Sequence, residues 1–193
     1  SNYSSGKMGF AIADRAAKLG ADVSLIAGPV AIATPDNVHR IDVKNAGEMF
    51  IEAEKLFSDA DIAVMAAAVA DYAPDKAAEG KIKKEDKGDE LTLKLKSTKD
   101  ILASLGKMKK EGQILVGFAL ESENEVAGGW KKMKNKNADM IIVNAANKPR
   151  SGFETDDNTI TILTKNGKEE FFPPMSKLKC AEVILKEVVE MID

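Results

Sequence analysis

The chain has one cysteine and one histidine in 193 residues. The single thiol, Cys180, cannot close a disulfide within the chain, which fits a reducing, cytoplasmic setting. The same counts exclude a zinc site built from cysteine and histidine. A Ser-His-Asp triad would have to use His39, and no G-x-S-x-G elbow accompanies it. No apolar run reaches transmembrane length, and no secretory signal is expected. The net charge is only −3, which argues against nucleic acid as the main partner. What remains is 44% hydrophobic and 31% charged, a composition suited to one globular domain with a sizeable core.

Periodicity predicts alternating helices and strands. Residues 8–19 are an Ala-rich helix with Gly20 at its C-terminal cap. "ADVSLIAGPV" follows as a buried strand and "VHRIDV" as a second. "NAGEMFIEAEKLFS" is a helix with Asn45 and Glu48 in capping-box spacing. "DIAVM" begins an apolar run expected to be buried on both faces of a parallel sheet. "APDKAAEGKIKKEDKGDE" reads as a long charged surface loop. "LTLKLKS" alternates as a strand, and "TKDILASLGKMKK" is a helix assigned Thr98 as its cap. "QILVGFALES" and "ADMIIVNAAN" are apolar strands on either side of a helix weakened by Gly128-Gly129. "TITILTKNGKEEFF" is a hairpin turning at Asn166-Gly167, and a helix closes the chain with Cys180 on or beside its packed face. The expected fold is α/β, a Rossmann-like doubly wound and mostly parallel sheet with a small antiparallel excursion.

Ligands of such folds sit at the carboxyl ends of the strands, where four stretches stand out. Ser4, Ser5 and Gly6 precede a helix start, either as a loop that holds an anion or as a plain cap. The small residues Ala66, Ala67 and Ala68 after Met65, followed by Asp71, would admit a flat ring or sugar, or simply pack a helix closely. Lys81, Lys83 and Lys84 are either a solvated face or a loop that neutralises polyphosphate. Phe118 could stack on a base, and the lysines at positions 131, 132, 134 and 136 either reach phosphates or face solvent. Together these imply an anionic, nucleotide-like ligand.

The motifs "SNYSSGKMGFAIA", "AGPV", "AAAVADY", "KIKK", "KDIL", "VGFALE", "ADMIIVN" and "GFETDDN" occur in this order. In order and spacing they resemble phosphopantothenoylcysteine synthetase, the second module of the bacterial bifunctional coenzyme A flavoprotein. The resemblance covers nearly the whole chain. It implies a cytoplasmic ligase in which CTP activates 4'-phosphopantothenate as an acyl-cytidylate with loss of pyrophosphate. The amine of cysteine then attacks and releases CMP. Mg2+ would accompany the nucleotide, without protein side chains as ligands, and no FMN is expected on this chain.

By motif, Asn2 corresponds to the asparagine that binds the acyl group and supports turnover, and Lys81 to the lysine that stabilises charge during activation. The nucleotide-binding positions are Met65, Ala66, Ala67, Asp71, Lys81, Lys99, Asp100, Ile101, Leu102, Phe118, Lys132 and Lys136, and Ala68 lies beside the phosphopantothenate. Lys99 stands where many members have proline. The resemblance further implies a homodimer, for which the "GFETDDN" loop and its hairpin are a plausible contact, and fusion to or association with a decarboxylase module. It also places a strand and glycine turn ahead of "SN", so that residues 1–193 form one synthetase domain lacking its first strand.

Two other readings compete. Tyr3 and Lys7 have the Y-x-x-x-K spacing of short-chain dehydrogenases, but Gly6 between them suits a helix interior poorly. A non-catalytic nucleotide-binding module is the third.

Overall fold

The computed structural model describes residues 4–76, 80, 91–121, 125–145 and 157–192. Asn2, Lys81 and most of the charged loop lie outside the described residues. In chain order the elements are α1 (Lys7–Lys18), β1 (Val23–Ala27), β2 (Val38–Asp42), α2 (Ala46–Phe57), β3 (Ile62–Met65), β4 (Tyr72–Pro74) and β5 (Leu95–Ser97). Then come α3 (Ile101–Met108), β6 (Ile114–Glu121), α4 (Glu125–Lys136), β7 (Met140–Ala145), β8 (Asp157–Thr164), β9 (Glu169–Ser176) and α5 (Lys177–Val189).

The main sheet has the order β3-β6-β7-β8-β9. Strands β3, β6 and β7 run parallel, whereas β8 and β9 form the expected hairpin and join antiparallel to β7. β1 and β2 make a separate parallel pair, and β4 and β5 a short antiparallel ribbon. Alternation along the strands divides the core between two faces. Leu115, Ile141, Val143 and Leu163 point toward α2, α3 and α4, while Val116, Met140, Ile142 and Ile162 point toward α1 and α5. That division is the doubly wound arrangement the sequence predicts.

Local chemistry explains most element ends. Gly20 takes φ +91°, and the N–H of Ala21 reaches back to the Ala16 carbonyl, closing α1 with a Schellman turn. Asn45 Oδ1 accepts the Glu48 N–H at 3.0 Å. Glu48 returns the bond to the Lys44 N–H at 2.8 Å, one residue further back than a standard capping box. Arg40 donates to the carbonyls of Ile32 at 2.7 Å and Val30 at 3.3 Å, shaping the loop after β1. Cys180 is fully buried beneath the sheet, and burial pushes its thiol up to about 11, so it is an inert packing residue.

Three expectations are corrected. Thr98 does not cap α3: its Oγ1 donates to the Ala70 carbonyl at 2.7 Å, and Asp100 takes the cap, accepting the Ala103 N–H at 2.9 Å. Only Leu95–Ser97 of "LTLKLKS" pairs as a strand, because its partner β4 is three residues long. Finally, β3 is half-buried along its length rather than buried on both faces. Its one neighbour among the described residues is β6, and the opposite edge has none.

Candidate functional site

The carboxyl ends of β3, β6 and β7 point the same way because the strands are parallel. α1 starts beside the same end: a Cβ placed on Gly9 would lie 3.8 Å from Ala66 Cβ. Gly6 occupies the N-cap of α1 with φ +77° and gives no side-chain cap. Gly6 thus caps α1 through its backbone alone, and the plain cap and the anion-holding loop both remain readings of "SSG". A Cβ at Gly6 would also stand 3.2 Å from Val30, so the loop after β1 closes against this turn.

Met65 ends β3 opposite Gly117. Ala66, Ala67 and Ala68 follow without regular structure, and Ala67 is exposed. This stretch is tied to the approach to α3 by the Thr98 bond described above and by a second, from the Thr98 N–H to the Asp71 carbonyl at 2.8 Å. Asp71 itself is exposed.

The remaining candidates converge through side chains. Asp100 uses one oxygen to cap α3 and the other to accept Lys136 Nζ at 2.6 Å. Lys132, one turn earlier on α4, donates to the Phe118 carbonyl at 2.7 Å. Lys99 places Nζ 4.1 Å from the centre of the Phe50 ring, a cation–π contact. Ile101 and Leu102 are buried in the core, so the first turn of α3 can offer a ligand only its backbone N–H groups. Lys131 and Lys134 are exposed, which leaves Lys132 and Lys136 as the lysines of α4 that point to this corner.

Partial burial pushes the Asp100 carboxyl up. The hydrogen bonds from Lys136 and Ala103 and the charges of Lys136 and Lys132 outweigh that, and hold it below its ordinary range. A lowered folded value means that the stabilisation is complete above the ordinary aspartate range and is lost as pH falls through the lowered value. Asp100→Asn keeps the cap but not the charge. Urea midpoints measured from pH 7 to pH 3 should therefore fall further for the parent than for this variant, and parallel curves would refute the pairing.

One residue at this end escaped the sequence reading. Asn144 stands at the carboxyl end of β7, and its Oδ1 accepts Asn158 Nδ2 at 2.8 Å. The signal was present as a polar residue ending the apolar run "MIIV". No periodicity argument singles it out.

The arrangement defines a doubly wound α/β domain with a glycine-capped helix start, a small-residue strand end and two half-buried lysines at one corner. Comparison with known proteins agrees. Residues 1–192 match the family described as DNA/pantothenate metabolism flavoprotein C-terminal domain, and the chain belongs to that family. It is 42% identical over 191 residues to the coenzyme A biosynthesis bifunctional protein CoaBC of Bacillus subtilis, covering 98% of this chain and 46% of that protein. It is also 42% identical over 193 residues to a cysteine/cysteine sulfinic acid decarboxylase of an unknown prokaryotic organism, covering 100% of this chain and 53% of that protein. The chain thus spans about half the length of the curated relatives it matches. Among solved structures, the C-terminal domain of CoaBC aligns with a TM-score of 0.83 at 35% identity, covering 99% of this chain and 85% of that one. A Cab2 mutant in complex with phosphopantothenate-cysteine aligns with a TM-score of 0.79 at 14% identity, a likeness of fold alone. The dehydrogenase reading is overturned by this family membership.

Proposed function

We propose that the chain is a phosphopantothenate–cysteine ligase module that uses CTP. The observation that carries this reading is the corner where Asp100 and the Phe118 carbonyl hold Lys136 and Lys132, together with membership of the family. In the proposed reaction the carboxylate of 4'-phosphopantothenate attacks the α-phosphorus of CTP and pyrophosphate leaves. In this reading Lys132 and Lys136 hold phosphoryl oxygens, and Lys81 stabilises the charge that grows on them. Asn2 and Ala68 hold the acyl group, and the helix start after Ser4 and Ser5 takes an anionic oxygen. The cysteine amine then attacks the acyl carbon, the acyl–phosphate bond breaks, and CMP departs as the amide forms.

Backbone groups at Met65, Ala66, Ala67 and the first turn of α3, with Asp71, would define the base and sugar pocket. Among the described residues no cluster of three or more His, Cys, Asp or Glu side chains is gathered. Magnesium belongs to this reading as the ion carried by the triphosphate, coordinated by phosphates and water. Among those residues no helix is long and apolar enough to cross a membrane, and the reading places the enzyme in the cytoplasm. Fusion to or association with a decarboxylase module belongs to the same reading, supported by relatives whose names read bifunctional protein or decarboxylase and of which this chain spans about half. The deciding experiment is pyrophosphate release from CTP that depends on 4'-phosphopantothenate. Nucleotide binding without any acyl-nucleotidylate would instead favour the non-catalytic module.

A homodimer belongs to the same reading; most of the "GFETDDN" loop lies outside the described residues, and the β4–β5 ribbon is a described surface that supports it. Tyr72 and Pro74 lie opposite Ser97 and Leu95 and so share a face with Leu95. Leu91 and Leu93 continue the same spacing, and Tyr72, Leu91, Leu93 and Leu95 are all exposed. Two strands alone are marginal in water, and a second copy would cover this face. Sedimentation should give a dimer that Leu93→Lys with Leu95→Lys converts to monomer. A parent chain that stays monomeric at tens of micromolar would remove this proposal.

The domain reading also calls for one more parallel strand between β1 and β3. Ile26 of β1 packs on the same core as Ala63 and Met65 of β3, yet the two strands belong to separate sheets. A longer polypeptide that carries such a strand should slow amide exchange in β1 and β3. Equal exchange in the two lengths would count against it.

A further inference from the structure

Asn158 in β8 is 2% exposed, yet its side chain makes one hydrogen bond among the described residues, the donation to Asn144. Its Oδ1 has no partner there. A half-satisfied carboxamide in the core costs stability that an apolar side chain of similar size would not. Such local departures from good packing are expected at working sites.

Burial also decides the polarity of the bond. Were it reversed, with Asn144 Nδ2 donating to Asn158 Oδ1, both amino hydrogens of Asn158 would be buried without an acceptor. Orphaned buried donors are rarer than under-used carbonyls. Asn144 Oδ1 is therefore committed as an acceptor, and its amino group is left as the donor at the end of β7.

Alternation puts Asn144 on the same face as Ile142. Ile142 belongs to the cluster that contains Ile12 and against which Met8 and Phe118 pack. Asn144 thus ends its strand on the face covered by α1, and Asn158 approaches it from the neighbouring strand.

We propose that Asn158 is a positioning residue: it locks the Asn144 carboxamide so that the Asn144 amino group donates to an anionic oxygen of a nucleotide at the carboxyl end of β7. The ligand half of this statement rests on the nucleotide-dependent reading above. The locking half stands on the structure.

Two measurements on the full-length protein separate the halves. The first is the side-chain 15N order parameter of Asn144 without ligand, and the second is calorimetric affinity for CTP and for ATP. Asn158→Leu should keep its melting temperature, lower the order parameter, and weaken CTP about tenfold, the scale of one hydrogen bond to a charged group. Because Asn158 acts through Asn144, the double variant with Asn144→Ala should bind no more weakly than Asn144→Ala alone. An unchanged order parameter overturns the lock. Unchanged affinity, or losses that add in the double variant, overturns the role in the site.

Should Asn158→Leu not fold, Asn158→Asp is the second variant. Aspartate keeps the shape but has no amino group to donate to Asn144 Oδ1, so an unchanged CTP affinity would refute the proposal. A parent protein that binds neither CTP nor ATP sinks the nucleotide reading and the ligand half with it, while the order parameter still judges the lock.

Discussion

Gly106→Ala is expected to destabilise the protein by about 3 kcal/mol or more, at the upper end of overpacking effects. A Cβ at this position would lie 1.8 Å from the Lys136 carbonyl oxygen and 2.9 Å from its carbon. Both atoms are backbone, so no rotamer relieves the overlap, and α3 and α4 must move apart. The junction has little freedom to do so. Asn137 takes φ +50°, and the Ala138 N–H closes a Schellman turn on Met133. Asn137 Nδ2 donates to the Gly106 carbonyl at 2.8 Å, and Lys109 Nζ to the Asn137 carbonyl at 2.9 Å. Moving the helices also separates Asp100 from Lys136, so folding and the candidate site should fail together. Gly112→Ala is the control: its added Cβ meets nothing within 4 Å, and the cost comes from φ +83° alone, about 1 kcal/mol. Urea denaturation of both variants measures the contrast, and a Gly106→Ala protein within 1 kcal/mol of the parent, on the scale of the control, would contradict the close approach.

Lys81→Gln is expected to slow pyrophosphate release about 100- to 1000-fold, the range seen when a group stabilising transition-state charge is removed. Glutamine keeps most of the length and a hydrogen-bonding end but lacks the charge. In the proposed reaction the phosphoryl oxygens and the departing pyrophosphate gain negative charge as the acyl–phosphate bond forms, and a neutral amide answers that poorly. The measurement is the rate of CTP- and phosphopantothenate-dependent pyrophosphate release, followed by quenching to detect the acyl-cytidylate. A normal first step with slow amide formation would move Lys81 to the second half-reaction.

Local grammar was legible in the sequence wherever one short stretch decides the outcome. Gly20 ends α1, Asn45 and Glu48 start α2, and Asn166-Gly167 turns the β8–β9 hairpin because each depends on residues within a few positions. Thr98 was assigned the wrong task because a threonine and an aspartate two residues apart can both cap. The choice went to Asp100 once Thr98 was engaged by the Ala70 carbonyl, 28 residues away. The half-burial of β3 was equally invisible, since an apolar run records what a strand can bury and not which neighbours arrive. In the site, the spacing of Lys132 and Lys136 was readable as one helical face. Their meetings with the Phe118 carbonyl and with Asp100, 36 residues from Lys136, depend on how α3 and α4 cross. The Asn144–Asn158 pair lies across two strands, and the polar residue that ends "MIIV" does not by itself reveal a partner 14 positions away.

The two margins of the main sheet are built differently. β9 contains Pro173 and Pro174 in succession, and neither has an N–H to offer a passing strand. β3, at the other margin, carries the apolar run Ile62–Met65 with no proline and no charge. Among the described residues, edge-to-edge pairing is therefore blocked along β9 and open along β3. All four side chains of β3 pack against the core, two on each face, so this margin is closed by pairing with a further strand, as the domain reading calls for, and not by charge.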